Sequence, residues 1–239
     1  MTAGRASYAR SVTLIAEDLL LLLLDDESGK PQTSQLDTAL GGALLVELAL
    51  AGAVTVSTEK APSIWKQAKV WVEPGVEPED FVLAEALRTI GEKERSAQDL
   101  VVRLGKGLTD TLCSRLSKRG VLERRDDKVL GLFPRTRWPA RDSAHEDDVR
   151  RQLAAVLVEG AKPEPRVGAL VALLYAVDRA HQTVPHAGLS NGEVRKRAKE
   201  LAEGQWAAVA VRNAIAAVTA ATTAAVVAAT TAAAVGTGT

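Results

Sequence analysis

Residues 14–31 read LIAEDLLLLLLDDESGKP. Six consecutive leucines, Leu19–Leu24, lie between Glu17-Asp18 and Asp25-Asp26. As a helix, six residues rise only about 9 Å, against the roughly 30 Å of hydrocarbon that a spanning helix must cross. Carboxylates at both ends are costly to place in lipid. Arg5 and Arg10 resemble the basic start of a secretory signal, but Glu17 and Asp18 interrupt the apolar run and no small-residue cleavage site follows. The stretch is therefore expected to form a helix from near Thr13 that is buried on most sides.

The rest of the chain agrees with a helical interior. Leu36–Val54, LDTALGGALLVELALAGAV, carries apolar residues around most of a helix and is expected to be the central core helix. Ser34 and Asp37 have capping-box spacing in front of it. Gly41-Gly42 weakens a helix by about 1 kcal/mol per glycine relative to alanine, a cost that close helix packing can offset. Val54–Ser57 and Lys69–Glu73 read as a β-hairpin. Pro78 starts a further helix, PEDFVLAEALRTIGEK. Ser96 caps the next, and Leu108–Lys118 forms another that ends at Gly120. A second hairpin is expected between Glu123 and Phe133, its two strands flanking Asp126-Asp127-Lys128. Ser143 and Glu146 suggest a capping box for a helix reaching about Glu159. A hydrophobic helix, RVGALVALLYAVDRAHQ (166–182), is expected next. Ser190 and Glu193 cap another helix, and Trp206 begins the last. Residues 214–235 are uncharged and rich in Ala, Thr and Val. They read as a helix packing through small side chains, because Ala and Thr drive membrane insertion poorly. The fold expected is mainly α, one globular domain over 1–239 with a leucine-rich central helix, short β-hairpins, and flexible ends at 1–10 and 236–239.

Composition narrows the function. Lys plus Arg and Asp plus Glu both total 30, so global charge selects no partner. The single cysteine, Cys113, rules out an intrachain disulfide and fits a reducing compartment. With no signal recognised, a cytoplasmic protein is expected. Abundant Ala, Val and Arg fits a GC-rich bacterial genome. No phosphate-binding GxxxxGK[ST] loop, GxGxxG fingerprint or GxSxG elbow occurs, and Gly105-Lys106-Gly107 is too short to be a phosphate loop alone. His145 stands beside Glu146-Asp147-Asp148, which reads as an acidic helix start rather than a metal site. His181, His186 and Cys113 read as structural. No catalytic residue, metal or cofactor is expected.

Charge is concentrated in one place. Between Arg103 and Arg137 ten basic residues face four acidic ones, a surplus of six. The segment includes Arg103, Lys106, Arg115, Lys118, Arg119, Arg124 and Arg125. Such a surface can attract an anionic bilayer, at about 1 kcal/mol per cation, or a nucleic-acid backbone. The order helix, helix, hairpin also describes a winged helix, with Lys118, Arg119 and Arg124 as its phosphate contacts.

Four blocks then carry a resemblance: LIAEDLLLLLLDDESGK, ALGGALLVELALAGAV, LSKRGVLERRDDKVLGLFP and GALVALLYAVDRAH. In this order and spacing the chain resembles the Golgi phosphoprotein 3-like family from about Ser11 to about Val218. The resemblance implies a single helical domain without catalytic activity. It implies recognition of phosphatidylinositol 4-phosphate and recruitment of membrane-protein cytoplasmic tails at the surface of anionic membranes. Eukaryotic relatives use a tryptophan before the central helix, an arginine within it, and two basic residues on the helix preceding the hairpin. These fall at Gln32, Gly41, Lys106 and Thr109, of which only Lys106 keeps the charge. The family's projecting hairpin, linked to self-association, corresponds here to Val129, Leu130, Leu132 and Phe133, which implies a homo-oligomer.

Overall fold

The leucine run lies inside the core. In the computed structural model, which describes residues 13–57, 68–129, 133–203 and 213–223 (127–129 and 133–135 by backbone alone), α1 spans Ile15–Leu23. Every residue of α1 is buried, its two carboxylates included. Helix α2, Leu36–Leu50, crosses the centre and packs against α1, α3, α4, α5 and α7. The expected buried leucine helix and central core helix are both present.

The glycine pair of α2 has a clear packing role. A Cβ on Gly41 would sit 2.1 Å from the Val101 carbonyl oxygen in α4, Ala97–Gly105. In return, a Cβ on Gly105 would sit 1.9 Å from the Asp37 carbonyl oxygen. The two helices therefore meet backbone to backbone, and no larger residue fits at either crossing point. Gly42 performs the same service toward Val218, on a helix α10 at 213–223. Ala214, Ile215, Val218 and Ala221 of α10 are buried, which agrees with packing through small side chains.

Other elements follow the sequence with adjustments. Strands β1 (Val54–Val56) and β2 (Lys69–Val72) form the expected antiparallel pair, and β3 (Arg95–Ser96) adds a third strand to β2. Helix α3, Phe81–Gly91, begins three residues after Pro78, because the Asp80 carboxylate accepts the Val82 N–H at 2.9 Å and caps it there. Ser96 caps α4 through the Asp99 N–H. Helix α5 runs Leu108–Lys118 as expected. Helix α9, Asn191–Glu203, starts from the expected box, Ser190 and Glu193 each accepting the other's backbone N–H.

Four expectations need correction. Ser34 and Asp37 form no capping box: Gln35 is the cap residue, and Asp37 instead accepts a hydrogen bond from the Thr109 hydroxyl at 2.5 Å. Ser143 forms none either. Its backbone is already helical, the Asp142 carboxylate takes the Ala144 N–H, and Glu146 turns inward to pair with Arg150. Asp126, Asp127 and Lys128 are not the turn of the second hairpin. They belong to β4, Arg125–Val129, paired with β5, Phe133–Arg137, so the turn falls at 130–132. Finally, the apolar 166–182 segment is two helices, α7 (Pro165–Ala176) and α8 (Ala180–Thr183). Asp178 separates them with φ of 53°, a left-handed conformation that Asp tolerates better than most residues, and Arg195 holds its carboxylate at 2.8 Å. Helix α6 spans Ala144–Leu157. The expected loose ends and the helix start at Trp206 lie outside the described residues.

Candidate functional site

The four positions that the family assigns to lipid are divided between two grooves and the core. The chain leaving α1 turns through Asp25–Lys30 and is pinned at Gln32, whose N–H donates to the Leu23 carbonyl and whose amide donates to that of Leu24. This brings Gln32 to the start of α2. Thr109, in the first turn of α5, reaches the same place through Asp37. Gln32, Asp37 and Thr109 share an open cavity of about 660 Å³ with Thr33, Ser34 and Arg179. Gly41 lines neither groove, because α4 lies directly on it.

Among the described residues Arg179 is the one cation lining this first groove, and nothing in the sequence assigned it there. It is half-buried, follows the left-handed Asp178, and donates to the Gln182 side chain. The only hint in the sequence was a polar DR pair closing an apolar run. Its approach to Gln32 depends on how α7 folds back over α2. The groove holds one guanidinium and one carboxylate, with hydroxyl and amide groups around them.

Lys106 lines the second groove, of about 270 Å³, between α3 and the α4–α5 turn. Arg103 stands beside it, with Phe81 at the rim and Leu44, Ala86 and Leu108 among the lining side chains. Lys106 is exposed and has no ion pair among the described residues. Arg103 has one to Asp99, at 3.5 Å and open to solvent. Thr109 and Lys106 therefore belong to neighbouring grooves on either side of one turn. Gly107 shapes that turn with φ of 72°.

The remaining cations of the 103–137 surplus are mostly occupied. Half-buried Arg115 and exposed Arg119 both pair with buried Glu17, at 3.0 and 3.1 Å. Arg115 also holds Asp80 at 2.5 Å, and this guanidinium keeps the Asp80 carboxyl below its usual range despite the opposing effect of burial. Arg124 pairs with Asp126 and Arg125 with Glu123 at the surface. Lys118 is exposed and, among the described residues, unpaired. For the oligomer hairpin, Leu130 and Leu132 lie outside the described residues. Val129 and Phe133 are placed by backbone pairing alone.

An ionic cluster that the sequence did not announce surrounds the two carboxylates of α1. Asp18 is held by Arg166 at 2.6 Å and by His145 at 2.7 Å. Glu17 also accepts the Leu14 N–H. Glu47 of α2 accepts the Ile15 N–H, yet burial pushes its carboxyl up to about 7. His145 therefore has a structural partner. His181 is buried against Arg195, and desolvation lowers its proton affinity. The Cys113 thiol is fully buried and pushed up to about 12 by desolvation. Among the described residues no three metal-ligating side chains cluster, and no helix is long and apolar enough to cross a membrane.

These elements define a mainly helical domain built around one buried leucine-rich helix, with two open grooves flanking the turn before α5. The sequence model of the Golgi phosphoprotein 3 (GPP34) family matches residues 15–218, and the chain belongs to that family. No curated protein matches it.

Proposed function

We propose that this protein is a non-catalytic, cytoplasmic adaptor that attaches peripherally to membranes by binding anionic lipid head groups. The observation that carries the reading is the meeting of Gln32, Thr109 and Arg179 in one groove, Gln32 and Thr109 being positions to which the family resemblance assigns lipid binding. Arg179 supplies the charge-assisted donors that a phosphate needs. With Gln32 and Gly41 in place of the family's tryptophan and arginine, the groove recognises a phosphorylated polyol through Arg179, the Gln32 amide and the surrounding hydroxyls. Phosphatidylinositol 4-phosphate is the head group the family suggests. Cytoplasmic tails of membrane proteins are the proposed cargo, and self-association through the 123–137 hairpin is proposed with it.

The winged-helix reading is less well supported. Of its three expected phosphate contacts, Arg119 is committed to Glu17 and Arg124 pairs with Asp126, which leaves Lys118 alone. Co-sedimentation with vesicles tests the proposal. Binding should require anionic lipid, weaken as salt shortens the Debye length, and fall with Arg179→Ala. Binding that ignores both lipid charge and salt overturns it.

A further inference from the structure

The second groove joins Lys106, the one charged position retained from the family's lipid site, to an exposed aromatic ring that head-group recognition does not use. Phe81 is the most exposed large apolar side chain among the described residues, at 79 %. A single exposed apolar residue is ordinary by itself. This one is anchored and opens onto a lined groove. Asp80, the cap of α3, is tied to Arg115, which is tied in turn to buried Glu17. The ring is thus presented from a fixed helix start.

Apolar side chains line the groove and its free charge is positive. Leu44, Ala86 and Leu108 contribute apolar surface, and Lys106 and Arg103 contribute the cations. Glu85, the one carboxylate among the described lining residues, makes a two-point contact with Arg88 at 2.6 and 2.9 Å. Lys106 keeps its charge unmatched among the described residues. Arg103's exposed pair with Asp99 contributes little. A cavity of about 270 Å³ is smaller than the roughly 300–1,000 Å³ of drug-sized sites. It suits part of a chain, not a folded partner. Buried apolar lining, exposed cations and an exposed aromatic ring complement an acidic phospholipid, whose phosphate lies over its acyl chains.

We propose that this groove is a second membrane contact, in which Phe81 enters the acyl boundary of an anionic bilayer while Lys106 and Arg103 engage lipid phosphates. It rests on the membrane reading above and adds an orientation to it. Lys106 and Thr109 flank one turn, so a bilayer lying against that turn meets both grooves at once.

The test places an environment-sensitive fluorophore at residue 81 through Phe81→Cys. Cys113 is fully buried and stays unlabelled. A matching label at Lys196→Cys reports from α9, which packs against α6, α7 and α8. Vesicles of phosphatidylcholine with phosphatidylserine should shift the label at 81 to the blue and leave that at 196 unchanged. Phe81→Ala should weaken vesicle binding roughly ten-fold, and Lys106→Glu about thirty-fold, with the fold intact by circular dichroism. Binding to acidic vesicles with an unmoved label at 81 and unchanged affinity in Phe81→Ala overturns this contact and leaves the head-group reading standing. No binding to any vesicle overturns both. A blue shift that follows protein concentration without vesicles marks a contact between copies and overturns the proposal.

Discussion

Arg119 and Lys106 belong to the same basic stretch of sequence, yet their surroundings are opposite. Arg119 folds back onto a carboxylate, Glu17, that has no exposure at all. Lys106 stands in solvent at the edge of an apolar groove. The first region is an ionic seam joining α1 to α5 and, through Asp18 and Arg166, to α7. The second is a surface with unmatched charge. A count of charges along the chain treats them alike. Their energetics differ because a buried carboxylate is destabilised when it loses its partner, whereas a solvated ammonium needs none.

The largest effect that separates the two regions should come from Glu17. Glu17→Ala removes the shared acceptor of Arg115, Arg119 and the Leu14 N–H. Each donor left without its acceptor costs about 1–3 kcal/mol. Urea unfolding followed by circular dichroism should show that loss. A midpoint equal to wild type would mean that the seam contributes nothing.

Glu47 sharpens the comparison through pH. Its folded carboxyl titrates at about 7, above the 4.5 of an unfolded chain, because burial outweighs the Ile15 N–H and Arg166. The native state therefore holds the extra proton. The stabilisation is complete below about 4.5 and disappears as pH rises to about 7, on the order of 3 kcal/mol across that window. Glu47→Gln keeps an acceptor for Ile15 and cannot ionise. Its unfolding free energy should lack this slope between pH 4.5 and 7, and an unchanged slope would assign the dependence elsewhere.

A smaller change is expected at His145. Its ring meets Asp18 at 2.7 Å while Arg166 remains as a second partner. His145→Ala should lower stability by roughly 1.5 kcal/mol in the same unfolding assay, since a hydrogen bond to a charged group is lost and the carboxylate stays paired. The smallest stability effect belongs to the surface region. Lys106→Glu should leave the unfolding midpoint where it is. A clear shift would place Lys106 in the structural class with Arg119.

Legibility followed the type of interaction. The buried leucine helix, the central α2 and the close glycine crossings were readable because apolar periodicity and small residues state directly what must be buried. The Ser190 box was readable because both partners lie within one turn. Look-alike boxes at Ser34 and Ser143 failed because Asp37 and Glu146 found partners elsewhere, in Thr109 and Arg150. The second hairpin was located, but its turn was misplaced. Charged residues were read as a turn, although β4 continues through Asp126 and Asp127. Of the four positions assigned to one site through the family, Gln32 and Thr109 line one groove, Lys106 lines another and Gly41 lines neither. Arg179 escaped notice because 147 residues of chain separate it from Gln32.

The sequence by itself determined which segments are buried, that α2 is the hub, and that this is a Golgi phosphoprotein 3 family chain, because hydrophobic burial and short-range capping are encoded locally. Only the tertiary structure decided which cations remain for a partner. A guanidinium is satisfied by any carboxylate that folding brings within reach, and that distance is fixed by helix packing, not by spacing along the chain.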